Sequence, residues 1–219
     1  MVRQSHKRLF GLAECAVVGR KYGAVRAIRG VARAQHGVIT RAQLLAIGLS
    51  ADAIERRLRR GQLTAIHRGV YLVGPVAGRW CTEAAAVLAC QASAWVSHES
   101  AAYMLGLFSD RPDDVHAITS ASVRRAGIRV HRNALAPDEV TELDGVPITT
   151  ASRMIIDLAQ RSDIENLLAQ TYAKHLTTRA RILTLVDRYP KRPASRPYGD
   201  SSTPAQRSRA HPRSVTCWR

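Results

Sequence analysis

The sequence predicts an α+β chain: an N-terminal winged helix-turn-helix, a small α+β domain behind it, and a disordered basic tail. Three observations carry that expectation. Residues 40–74 read as two capped helices, a three-residue turn between them and then a hairpin. Residues 79–189 alternate short β-rich runs with helical periods. From residue 190 onward five of the nine prolines gather among Arg and Ser, with almost nothing aliphatic to bury.

In order along the chain, residues 1–23 show no clear period. They read as a disordered basic arm, or as an extension upstream of the true start. Residues 24–36 form a first helix, with Val25, Ile28, Val31 and Ala32 as its apolar stripe and Arg26, Arg29 and Arg33 as its basic one. Thr40 and Gln43 make a capping box, Leu44, Leu45 and Ile47 an apolar face, and Gly48 a stop. Gly48, Leu49 and Ser50 are the short connection of a helix-turn-helix. Ser50 caps the next helix, and Asp52 sits in its first turn, where the helix dipole favours an acid.

That second helix of the pair runs to Arg60, with Gly61 ending it. At 100° per residue Ala51, Ile54 and Leu58 share one side, while Asp52, Arg56, Arg59 and Arg60 fall on the other. An apolar back and an arginine front suit a DNA major groove, where guanidinium groups reach phosphates and the O6/N7 edge of guanine. Residues 63–66 and 70–73 read as strands around His67, Arg68 and Gly69, a basic wing whose Gly69 can adopt positive φ. An arginine-rich helix face alone is commonly just solvated, and Asp52–Arg56 and Glu55–Arg59 can be plain i,i+4 pairs. The whole series, from capped helix to basic hairpin, is what argues for DNA. The candidate DNA contacts are Arg56, Arg59 and Arg60 for the groove or its flanks, Thr40, Arg41 and Ser50 for phosphate, and Arg68 in the wing.

A hinge-like break at residues 75–78 separates the winged domain, 24–78, from an α+β domain at 79–189. That second domain reads as an alanine-rich helix (82–92), a strand (94–96), a helix capped by Ser97, strands at 115–119, 128–132 and 146–149, and helices at 150–160, 163–175 and 178–189. Residues 190–219 are the disordered tail.

Net charge is +16, and its distribution narrows the partner. Residues 1–78 carry 14 Lys/Arg and 3 Asp/Glu, residues 79–189 carry 12 and 13, and the remainder 7 and 1. The cationic ends point to a polyanion, and the neutral middle to a structural or protein-contacting role. Cys15, Cys81, Cys90 and Cys217 show no CxxC and no metal spacing, which reads as reduced thiols in a cytosol. Cys81 and Cys90, nine apart, should face opposite sides of one helix. No run is long enough to span a membrane, and no signal peptide is expected.

Other reactive-looking residues read as structural. His98, His116 and His131 lack a companion motif, so no catalytic or metal site and no cofactor are expected. Ser97, Ser100 and Glu99 serve a helix start, Asp157 pairs with Arg153 at i,i+4 or with another nearby base rather than acting as a general base, and Trp80 and Trp95 belong to the core.

Two groups of words carry a resemblance: residues 38–40 through 67–71 (VIT to HRGVY), and VSHESAA at 96–102 with LGL at 105–107, VPITTASR at 146–153 and IDLA at 156–159. Together they resemble the AbiEi-type antitoxins of bacterial type IV toxin–antitoxin systems, in the form common in high-GC actinobacteria, over about residues 25–189. The resemblance implies a winged-helix domain that binds double-stranded DNA at inverted repeats in its own promoter. It also implies a second, antitoxin-like domain that neutralises a nucleotidyltransferase-like toxin. Related chains continue into a nuclease-like domain, but residues 190–219 hold no carboxylate–carboxylate–lysine set, so nuclease activity is not expected. The expectation is a cytoplasmic DNA-binding antitoxin and autorepressor, not an enzyme, with no small-molecule substrate. Its rivals are a protein-interaction module without DNA binding, and a truncated remnant of an endonuclease fusion.

Overall fold

The computed structural model describes residues 11–90 and 93–190. In chain order the helices and strands are α1 (Leu12–Tyr22), α2 (Ala24–Ala34), β1 (Val38–Thr40), α3 (Arg41–Ile47), α4 (Ala51–Arg59), β2 (Leu63–His67), β3 (Val70–Val73), α5 (Cys81–Ala89) and β4 (Ala94–Val96). They continue as α6 (His98–Met104), β5 (Val115–Thr119), β6 (Ile128–Arg132), β7 (Val140–Leu143), β8 (Val146–Thr149), α7 (Ala151–Asp157), α8 (Ile164–Ala173) and α9 (Arg179–Arg188), with a 3-10 turn at Pro137–Glu139 before β7. The mixed α/β class is as expected. Residues 1–10 and 191–219, which hold most of the expected arm and nearly all of the tail, lie outside the described residues.

The winged unit is built around one sheet and one amide pair. Strands β1, β3 and β2 pair antiparallel in that spatial order. Side chains alternate across a strand, and both faces of this sheet are used. Ile39 and Tyr71 join Ala27, Ile28, Val31, Leu44, Ile47, Ile54 and Leu63 in the core beneath α2–α4, whereas Val38 and Val70 belong to the core around α5. Thr40 and Gln43 form the expected capping box, with Gln43 N donating to Thr40 Oγ1 at 3.1 Å and Thr40 N to Gln43 Oε1 at 2.9 Å. Gln43 is also buried against Gln35, and the two amides exchange bonds at 3.1 and 2.8 Å. A buried amide is tolerated only when paired, so this exchange pins α2 to α3.

Several details differ from the expectation. Leu45 is 41% exposed, and Gln43 takes the inward place. Val25 faces solvent and Ala27 is buried in its stead. On α4, Ala51 is exposed, so Ile54 alone is fully buried, flanked by half-buried Ala53 and Leu58.

Part of the expected disordered arm is ordered. Helix α1 packs on α3 and buries Cys15, whose thiol is pushed up to about 11 by burial and by Glu14. The contact escapes hydropathy patterning because its closest approach is made by a glycine. A methyl group on Gly19 would stand 2.3 Å from the Ile47 carbonyl oxygen. Gly19→Ala should therefore push α1 off α3, at a cost of about 1–3 kcal/mol for a forced overpacking. Mass mapping after thiol modification should then find Cys15 alkylated much faster than in the parent chain. Unchanged protection of Cys15 would contradict this packing.

Around the expected break at residues 75–78 the chain is hydrogen-bonded to both sides. Gly78 N donates to the His36 carbonyl at 2.9 Å, His36 Nε2 contacts the Asp144 carbonyl at 2.7 Å, and Trp80 Nε1 donates to Asp144 Oδ2 at 2.9 Å. Helix α5 lies between the two sheets, enclosed on nearly all sides. Cys81 and Cys90 are consequently both buried, although they lie on opposite sides of the helical turn.

The larger sheet has the order β6-β5-β4-β8-β7, with β5–β6 and β4–β8 parallel and the other two pairs antiparallel. Strand β7 is an element the sequence reading passed over. Trp80 and Trp95 lie in the interior as expected, 3% and 9% exposed. Arg153 is fully buried and donates from Nε to both oxygens of Asp157 at 3.0 Å, the expected i,i+4 pair. It also donates from Nη1 to buried Glu139 at 2.6 Å, which the sequence reading missed.

Candidate nucleic-acid interface

Helix α4 is held by its apolar side and leaves its arginines outside. Ser50 Oγ accepts from Ala53 N at 3.2 Å, so the cap forms as the sequence predicts. Arg56, Arg59 and Arg60 are exposed, and among the described residues none of them forms an ion pair or side-chain hydrogen bond. The pairings Asp52–Arg56 and Glu55–Arg59 are not made. Arg57 behaves differently: it is half-buried and bonds back to the Ala53 carbonyl at 3.1 Å. Three guanidinium groups on one helix face thus keep their full donor capacity for an external acceptor.

The wing is shorter than expected. His67 pairs with Val70 beyond an irregularity in the register, so the tip is only Arg68 and Gly69, with Gly69 at φ +77°. Gly69 O accepts from Arg41 N at 2.8 Å, which sets the tip against the start of α3. Thr40, Arg41, Arg68 and Gly69 therefore line one groove, joined there by Leu88 of α5 and Arg125 from the loop before β6. Arg41 and Arg68 are exposed, and the Thr40 hydroxyl is engaged in its helix cap. Arg56, Arg59 and Arg60 do not line this groove; they form a second cationic patch on α4. Sequence reasoning missed Arg125, because it belongs to the nearly neutral half of the chain. Its charge is felt at His67, whose protonation is disfavoured first by burial and then by Arg125.

The structure also assembles the three histidines that the sequence left apart. Parallel pairing of β5 with β6 sets His131 opposite Ile118, two residues along from His116. His98 stands at the start of α6. Its ring stacks on that of His131 with centroids 3.6 Å apart, and His131 Nε2 lies 3.3 Å from His116 Nδ1. His116 Nδ1 is 2.8 Å from Glu99 Oε2. Ser97, expected to cap α6 with its hydroxyl, instead places Oγ 3.0 Å from His98 Nδ1.

The surroundings set the protonation of this cluster. Accepting from His116 draws the Glu99 carboxyl down to about 2, and burial lowers His98 and takes His131 from 6.5 to about 4. A histidine held neutral in the fold lets the unfolded chain bind the proton first. Stability should be unaffected above pH 6.5 and fall as pH drops from there towards 4. Denaturant unfolding in metal-free buffer should show this loss, on the order of 2 kcal/mol, and His131→Gln should remove much of it. A flat profile between pH 6.5 and 4 would contradict the packing around His131.

A helix-turn-helix with a short basic wing, set on an α+β body, is the class that this fold and charge pattern define. Within it, residues 26–74 match the family described as "Transcriptional regulator, AbiEi antitoxin", which bears out the resemblance over the winged unit. The crystal structure of the RV2827C protein from Mycobacterium tuberculosis is similar in fold, with a TM-score of 0.51 at 19% identity over 78% of this chain and 72% of that one. Among curated proteins none matches. No helix among the described residues is long and apolar enough to cross a membrane.

Proposed function

We propose that this chain is a DNA-binding antitoxin that represses its own toxin–antitoxin operon in the cytoplasm. One observation carries the reading: within the segment that matches the regulator family, Arg56, Arg59 and Arg60 are exposed and, among the described residues, form no ion pair or side-chain hydrogen bond. In this reading α4 enters the major groove, with Arg56, Arg59 and Arg60 on base edges or their flanking phosphates. Arg41, Ser50, Thr40 and Arg68 hold the backbone, with Arg125 added from the second lobe. Phosphate contacts of this kind position a protein, while the groove contacts specify the site. The reading is of a regulator, not an enzyme.

The test is a gel shift on the chain's own promoter together with a promoter-reporter assay. A retarded complex and a repressed reporter, both lost when the inverted repeat is scrambled, are expected. No shift at low salt would refute the proposal.

The resemblance adds a second activity, capture of a nucleotidyltransferase-like toxin encoded next to this gene, and we place it on the near-neutral lobe at 79–189. Co-purification of the two chains, and rescue of growth by residues 1–219 when the toxin is expressed, would support this. Co-purification without any promoter shift would favour an interaction module alone.

A further inference from the structure

We propose that His98, His116 and His131 form a binding site for a divalent transition-metal ion of the zinc type, with its fourth position taken by a solvent oxygen. The three imidazoles come from three elements, α6, β5 and β6, and each offers a ring nitrogen within 4.8 Å of the other two. A tetrahedral ion with zinc–nitrogen bonds of about 2.0–2.1 Å separates its ligand atoms by roughly 3.4 Å. The 3.3 Å between His131 Nε2 and His116 Nδ1 fits that spacing and is long for a hydrogen bond. Ser97 Oγ, at 3.0 Å, occupies His98 Nδ1 and leaves Nε2 for the ion, the usual way a neighbour fixes a ligating histidine.

Three imidazoles with a solvent oxygen in the fourth position are a donor set that zinc accepts. The Glu99 carboxylate is 2.8 Å from His116 Nδ1 and also holds Arg161 at 3.6 Å. An ion on His116 Nδ1 takes the place of the proton shared there with Glu99, and that proton passes to solvent. It also turns His98 and His131 out of their stack, about side-chain torsions that are soft in histidine. A pocket of about 320 Å³ lined by His98, His131, Asn133, Asp157 and Gln160 opens beside the cluster and gives an ion its way in. The bound ion ties edge strand β6, through β5, to helix α6.

The experiment uses the full chain carrying Cys217→Ser, since Cys15, Cys81 and Cys90 are buried in the fold. Zinc is titrated by calorimetry, and cobalt(II) is used as a spectroscopic substitute. One ion per chain is expected, with intense visible d–d absorption of a four-coordinate nitrogen/oxygen site. Saturating zinc, at about a hundredfold over Kd, should raise the unfolding midpoint by roughly 5–10 °C. His131→Ala and His98→Ala should weaken uptake at least about a hundredfold, while His175→Ala, on an exposed residue, should leave it unchanged. Absence of saturable binding, a weak octahedral cobalt spectrum, or equal affinity in His131→Ala and the parent would each overturn the proposal. The cobalt spectrum of the unsubstituted chain decides the matter even if a histidine variant fails to fold.

Discussion

Arg153→Met is expected to destabilise the fold by about 3–5 kcal/mol, the cost of stranding a buried charge by removing its partner. The guanidinium is wholly buried, and it faces two carboxylates. Glu139 is equally buried and accepts from Nη1 at 2.6 Å, and Asp157 is bonded through Nε. The Tyr189 hydroxyl donates to Glu139 Oε2 at 2.8 Å, and the tyrosine ring lies beneath the guanidinium at 5.2 Å. Ala136 N donates to the same carboxylate oxygen at 2.6 Å. One arginine thus joins the 3-10 turn, α7 and the end of α9. Methionine keeps the volume and removes every donor, leaving two acids to repel each other out of contact with water. A urea midpoint unchanged by Arg153→Met would mean that this network contributes little to holding α9.

The second large effect belongs to α4. Arg56→Ala combined with Arg60→Ala is expected to weaken promoter binding by about 10- to 1000-fold at low salt. A groove arginine contributes about 1–3 kcal/mol of discrimination when it reads guanine, and less when it only neutralises phosphate. Neither side chain supports the fold: both are exposed, and Ile54 anchors the helix from behind. The double variant should therefore unfold at the parent's midpoint while losing DNA. Arg57→Ala is the contrast, because Arg57 bonds the Ala53 carbonyl and should affect the helix more than the complex. Loss of binding in Arg57→Ala alone would reassign the contact face.

How far the sequence reaches depends on whether the information is local. The caps at Thr40 and Ser50 and the arginine face of α4 are set by residues three or four apart, and they stand where reading placed them. Helix α1 was missed because its contact is made with Cys15 and Gly19, which give hydropathy little to register. Glu139 sits in a Pro-Asp-Glu run to which the sequence pattern assigns no element. Only Arg153, fourteen residues on, and Tyr189, fifty residues on, make it a buried acid. The histidine cluster depends on β5 and β6 running parallel and in register, which short β-rich words do not encode. Arg125 joins the wing through packing between lobes that composition had assigned to separate roles.

The central claim is that the exposed guanidinium groups on α4 and at the wing hold duplex phosphates. Its most direct test is the salt dependence of binding to the chain's own promoter. Release of counterions from about five phosphates predicts that log affinity falls against log salt with a slope near −4 to −5, reduced by about 2 in the Arg56→Ala, Arg60→Ala double variant. A slope near zero, or one that the double variant leaves untouched, would contradict the account.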